Sequence, residues 1–144
     1  MTTSNDLAVT TLTASITVLN RQKALGERAL AQLDDQQLFA SIDAEANSIA
    51  TIVKHISGNM RSRWSDFLTT DGEKPNRLRD GEFEIAPEER RRDIVMQWWN
   101  DGWAVVLNSF ASLKPVDLTA TVTIRTEKMP AIAAILRAVD HYAQ

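Results

Sequence analysis

The chain has 144 residues, 44% of them hydrophobic and 24% charged, which suits one globular domain over residues 1–144. It contains no cysteine, which excludes disulfides, thiolate metal sites and cysteine nucleophiles. Its net charge of -3 argues against a nucleic-acid partner, because phosphate binding needs a basic field.

The opening Met1-Thr2-Thr3-Ser4-Asn5-Asp6 has neither the basic nor the apolar segment of a signal peptide. No apolar run approaches the ~20 residues of a membrane span. The expectation is a cytoplasmic protein with no membrane partner. Ser4-Asn5-Asp6 can cap a first helix, and Leu7, Leu12, Ile16, Leu19, Leu30 and Leu33 follow a helical period. Asp34-Asp35-Gln36-Gln37 interrupts the pattern, and a short helical turn over Leu38–Ile42 is expected next.

A second helix is expected from near Ala44, with Ile49, Ile52, Val53, Ile56, Met60, Trp64 and Phe67 spaced at three and four. Gly72 is a plausible stop. The stretch from Asp71 to Ala86 has two glycines, a proline and many charges, and reads as a long loop. Pro87 sits at a favoured first position for a third helix, with Glu88 and Glu89 at its positive end. Arg90-Arg91-Arg92 is flanked by acids and reads as a solvated face. Ile94, Trp98, Trp99, Val105, Val106 and Phe110 carry the third helix, and Pro115 closes it.

Leu118, Ala120, Val122 and Ile124 alternate with Thr119, Thr121, Thr123 and Arg125, the clearest strand signal in the chain. The partner strand is expected in Glu82-Phe83-Glu84-Ile85, or in the same strand of a second subunit. Pro130 then begins a fourth helix, apolar on most sides and so expected to be buried. The pattern predicts an all-α four-helix bundle with a short β appendage before the last helix.

Two histidines stand out. His55, Asn59 and Arg63 follow at four-residue steps and form one polar stripe along the shoulder of the second helix. His141 lies on the fourth helix above Ala134 and Ala138, whose small side chains leave room at the surface. Bundle interiors commonly build metal sites from side chains on facing helices. Taken singly, His55 reads first as a rim residue and His141 first as a histidine near the helix terminus. The cluster Trp98, Trp99 and Trp103 reads first as core and second as the wall of an apolar pocket. No phosphate loop, catalytic triad or calcium-loop spacing is present.

The order of elements, the stretch "VKHISGNMRSRWSDFLTTDGEKPNRLRD", the strand "TVTIR" and a last helix with "HYA" together resemble the DinB/YfiT-like four-helix-bundle family, in a bacterial subgroup of it. That resemblance implies a divalent metal, zinc or nickel first, held by one histidine on the second helix and an H-x-x-x-H pair on the fourth. His55 matches the first ligand and His141 the first of the pair. The second of the pair would fall one residue beyond Gln144, and the fourth helix shows no stop signal, so the sequence reads as cut within it. A site one ligand short predicts weak or absent metal.

The resemblance implies a metal-dependent thiol transferase or hydrolase acting on a small molecule, with Asn59 and Arg63 meeting an anionic substrate group and the Asp71–Ala86 loop covering the site. The alternative expectation is a non-catalytic bundle that acts as a homodimer.

Overall fold

The computed structural model describes residues 3–43 and 45–143, with side chains from Asn5 onward. Four long helices form the bundle: α1 (Thr3–Ala31), α3 (Ile49–Trp64), α4 (Arg92–Ser112) and α5 (Ala131–Tyr142), with a short α2 (Asp35–Phe39) after the first. A two-stranded antiparallel hairpin, β1 (Thr121–Ile124) and β2 (Glu127–Pro130), precedes α5. The expected class is therefore the observed one.

The interruption Asp34-Asp35-Gln36-Gln37 is itself a helix start. Asp34 accepts from the Gln37 amide at 2.7 Å and Gln37 returns a bond to the Asp34 amide at 2.9 Å, a reciprocal cap. The second long helix, expected near Ala44, a residue outside the described set, opens at Ile49. Ser48 caps it by accepting from the Thr51 amide at 3.1 Å. It ends at Trp64, with Asp66 in the left-handed region at φ 49°. Phe67 and Gly72 therefore lie beyond the helix, and Gly72 is not its stop. The third long helix opens at Arg92, not Pro87. Pro87–Glu89 forms only a 3-10 turn, closed by the Glu89 carboxylate accepting from the Ala86 amide at 2.9 Å.

α3 packs mainly on α4. The close approach depends on Gly102, where a Cβ would stand 3.0 Å from the Ser57 backbone. Ser57 then donates to the Trp98 carbonyl at 2.7 Å. Leu19, Val53, Met60, Trp64, Val95, Val106, Phe110 and Ile135 fill the centre. Each fully buried side chain of this kind contributes roughly 1.5–3 kcal/mol. α5 is amphipathic, not buried all round: Ala131, Ala134, Ile135 and Ala138 face the core while Leu136 is exposed.

The strand partner is neither of those expected. Glu82–Ile85 is not extended, since Asp80–Phe83 forms a 3-10 turn. β1 pairs instead with the segment just after it, Val122 opposite Met129 and Ile124 opposite Glu127. Leu118, expected at the start of the strand, lies in a 3-10 turn at Pro115–Thr119. The two connecting residues, Arg125 and Thr126, have φ of 51° and 65°. A left-handed non-glycine residue costs roughly 1–2 kcal/mol. Asp71 offsets this: its carboxylate accepts from both the Arg125 and Thr126 amides at 2.8 Å. Among the described residues no helix is long and apolar enough to cross a membrane.

Candidate functional site

The four-residue spacing on α3 stacks His55, Asn59 and Arg63 on one side of the helix. Sequence places that stripe on a shoulder, but the structure turns it inward. Asn59 and Arg63 are 8% and 9% exposed, whereas the apolar Ile49 and Ile52 are 38% and 41% exposed. α5 and the loop after α3 cover the stripe. All four residues singled out from the sequence, His55, Asn59, Arg63 and His141, line one cavity of about 340 Å³. Arg79, Arg125, Arg137, Asp140 and Tyr142 complete much of its wall.

His55 is oriented from behind. Its Nδ1 shares a hydrogen bond of 3.0 Å with Glu82 Oε1, and its ring stacks on Phe83 at 4.7 Å. Glu82 is buried and is gripped by the Arg77 guanidinium through two bonds of 2.8 Å. Such a two-point carboxylate contact is geometrically specific. Gly58 makes it possible: a Cβ there would stand 1.9 Å from Glu82 Oε2. With Nδ1 donating to the carboxylate, Nε2 is the ring's free lone pair, the arrangement that a metal-ligating or base histidine uses. The Asp71–Ala86 loop thus supplies a packed wall of the site.

Tyr142 fixes Asn59. The Trp64 indole, which can only donate, gives its N–H to the Tyr142 hydroxyl at 3.2 Å. The hydroxyl then donates to Asn59 Oδ1 at 2.6 Å. Burial pushes the Tyr142 phenol up to about 12, so the donating proton stays in place. Since the Asn59 oxygen is committed, its amide N–H groups are what it offers the cavity.

Arg63 is the exception to this satisfaction. Its Nε is buried without a hydrogen-bond partner. Burial holds its guanidinium below the ordinary value, yet arginine remains charged at any physiological pH. Its stem passes over Gly72, where a Cβ would stand 2.8 Å from Arg63 Cδ. His141 sits at the exposed rim. Burial first, then the neighbouring His55 and Arg63, hold its imidazole below the usual histidine value.

Imidazole nitrogens are ligands of the kind that zinc and nickel take. His55 and His141 do not close a coordination shell: among the described residues no group of three His, Cys, Asp or Glu side chains could hold a metal ion.

Trp99 and Trp103 are core, as expected first, and they also line a second cavity of about 320 Å³ with Leu25, Ile56 and Met60. Trp98 lies apart, beneath the Lys54 ammonium at 5.3 Å.

Sequence reasoning missed Glu82, Arg79, Arg125, Arg137 and Tyr142. Arg137 had a readable signal, since it precedes His141 by one helical turn. Arg79 and Arg125 had none, because only tertiary packing brings the loop and the hairpin to α3.

The molecule is thus a helical bundle with a basic, histidine-bearing cavity between its second and last long helices. The family described as a protein of unknown function, DUF1572, matches residues 6–144, and the chain belongs to it. No curated protein and no solved structure matches the chain.

Proposed function

We propose that the cavity between α3 and α5 is the working site of a DinB-like, divalent-metal-dependent enzyme of the thiol-transferase or hydrolase kind, acting in the cytoplasm on a small molecule. One observation carries the reading: His55 and His141, far apart in sequence, line the same cavity, with His55 braced through Glu82. The two imidazoles are the proposed ligands. A bound zinc or nickel ion would supply Lewis acidity and a water or thiol of lowered pKa. The chain's own groups do the rest. Glu82 and Arg77 hold the His55 ring in one orientation and tautomer, Asn59 offers amide donors, and Arg63 offers a positive charge to an anionic substrate group.

Calorimetric titration with zinc and with nickel tests this. Weak binding is expected in the wild type, with two of the ligands present, and its loss in both His55→Ala and His141→Ala. Equal binding by the wild type and both variants would sink the reading.

The homodimer is the second reading. It loses its unpaired strand, because β2 pairs β1 within the chain. Its support is the apolar hollow bounded by Leu7 and Val116, which are 68% and 72% exposed. Light scattering on the wild type and Val116→Glu separates the cases. A monomeric wild type removes this reading.

A further inference from the structure

The cavity's electrostatics go further than its histidines. Arg63, Arg79, Arg125 and Arg137 all line it, and Asp140 is the carboxylate among its lining residues. Arg125 is partly neutralised, since its Nε pairs with Glu73 at 3.2 Å. The concentration of cations is local, for the chain as a whole carries -3. At the cavity's floor Arg63 as a residue is about nine-tenths buried, and its Nε has no partner. A buried, charged donor left unsatisfied is costly, and proteins otherwise pair such groups. Here the fold could have supplied a carboxylate, as it does for Arg77 through Glu82. Among the described residues it supplies none within bonding distance of Arg63, which lines the cavity.

A larger hollow on the other side of α3, about 620 Å³, offers the contrast. It too is rich in lysine and arginine, but Lys54 there pairs with Glu89 and Lys74 donates to the Ser62 and Asp71 carbonyls. Arg77 at its edge is saturated by Glu82. Basic side chains there are structural. In the smaller cavity, by contrast, Arg63 Nε is left unsatisfied beside Asn59, whose oxygen is held by Tyr142.

We infer that this cavity binds a small molecule through an oxyanion group of about two negative charges, a phosphate monoester or a pair of carboxylates, received by Arg63 and Asn59 at the floor and by Arg137 and Arg79 at the rim. The inference rests on the cavity being the working site and names the class of substrate it takes. The planar guanidinium fork matches either oxyanion. Binding itself needs no metal.

The test is calorimetry on chelator-treated, metal-free protein at low ionic strength, with inorganic phosphate in one arm and succinate in the other. At least one dianion is expected to bind; the tighter arm names the source of the charge. Arg63→Gln should weaken it about tenfold or more. Because Arg63 is buried and that variant can lose its fold, Arg137→Gln at the exposed rim gives the second reading, with a loss of about threefold. Arg61→Gln, on the same helix but away from this cavity, should change nothing. The inference is overturned if neither dianion binds, or if Arg63→Gln and Arg137→Gln bind like the wild type. Dianion binding with failed zinc and nickel titrations would remove the metal reading alone. Metal binding without dianion binding would remove this inference alone.

Discussion

Two cavities of nearly equal size, about 340 and 320 Å³, meet at the Tyr142 ring, which lines both. One is walled by arginines and histidines, the other by Leu25, Ile56, Met60 and two tryptophans. The difference follows from what builds them. The apolar cavity lies among the helices, whose inward faces are apolar by period. The charged one takes Arg79 from the loop after α3 and Arg125 from the hairpin turn, where no core-facing period constrains residue type. The connections thus supply two of the cavity's four arginines, while α3 and α5 supply Arg63 and Arg137 together with the rigid stripe of His55 and Asn59.

The largest expected effect comes from collapsing the charged side. Gly58→Ala would drive a Cβ into the Glu82 carboxylate, which His55 and Arg77 hold on its other sides. Displacing one member of a buried charged network costs about 3 kcal/mol. Urea denaturation should show that loss, and metal and dianion binding should fall with it. An unchanged midpoint would mean that the network is slack.

Tyr142→Phe tests the shared wall. It leaves the Trp64 N–H and the Asn59 oxygen without their partner, at about 1–2 kcal/mol. Dianion affinity should drop as well, because Asn59 is then free to flip. Loss of stability without loss of affinity would confine the role of Tyr142 to packing.

A smaller effect is expected from acid at the hairpin. The amides of Glu73, Thr126 and Arg125, in that order of weight among the backbone donors, hold the Asp71 carboxyl below its ordinary 3.8. A depressed carboxyl stabilises fully above its unfolded-state value and loses that contribution as pH falls through the folded one. Amide exchange at Arg125 and Thr126, corrected for the intrinsic rate, should therefore speed up below pH 4 before exchange in α4 does. Simultaneous loss in both would show that the turn does not open by itself.

The smallest effect belongs to the apolar side. The Trp103 indole N–H is buried without a partner, as is the Gln22 side-chain oxygen lining the same cavity. Trp103→Phe removes the unsatisfied donor along with some contact area. These changes oppose each other, so stability should stay within about 1 kcal/mol. A larger loss would mean that the indole's bulk, and not its polarity, holds this wall.

Much of the architecture was legible because period and punctuation agree. The four long helices and the β1 alternation follow from apolar spacing, and the errors at Ala44, Gly72 and Pro87 are errors of boundary. The partner of β1 was not legible. Glu127-Lys128-Met129-Pro130 does not alternate, and its turn lacks the glycine or asparagine that normally announces a hairpin. Asp71, some fifty residues upstream in sequence, replaces that signal by holding the turn amides.

The stripe His55-Asn59-Arg63 was legible as a stripe, but not as an inward one. Ile49 and Ile52 drew the apolar face toward themselves and are in fact largely outside the core. Burial of Asn59 depends on Tyr142 and burial of the stripe on the loop, neither of which α3 can report. Glu82 had a signal only in retrospect, in a glycine placed mid-helix at position 58.

Gly72 has a consequence for how such a site can change over evolutionary time. It donates to the Thr123 carbonyl at 2.8 Å and accepts from the Ser62 hydroxyl at 2.9 Å, so hairpin and helix are tied together where Arg63 passes. The missing side chain sets how deep the guanidinium lies. A methyl group there would push the charge outward without removing it, which makes position 72 a dial on the depth of the site, separable from its chemistry.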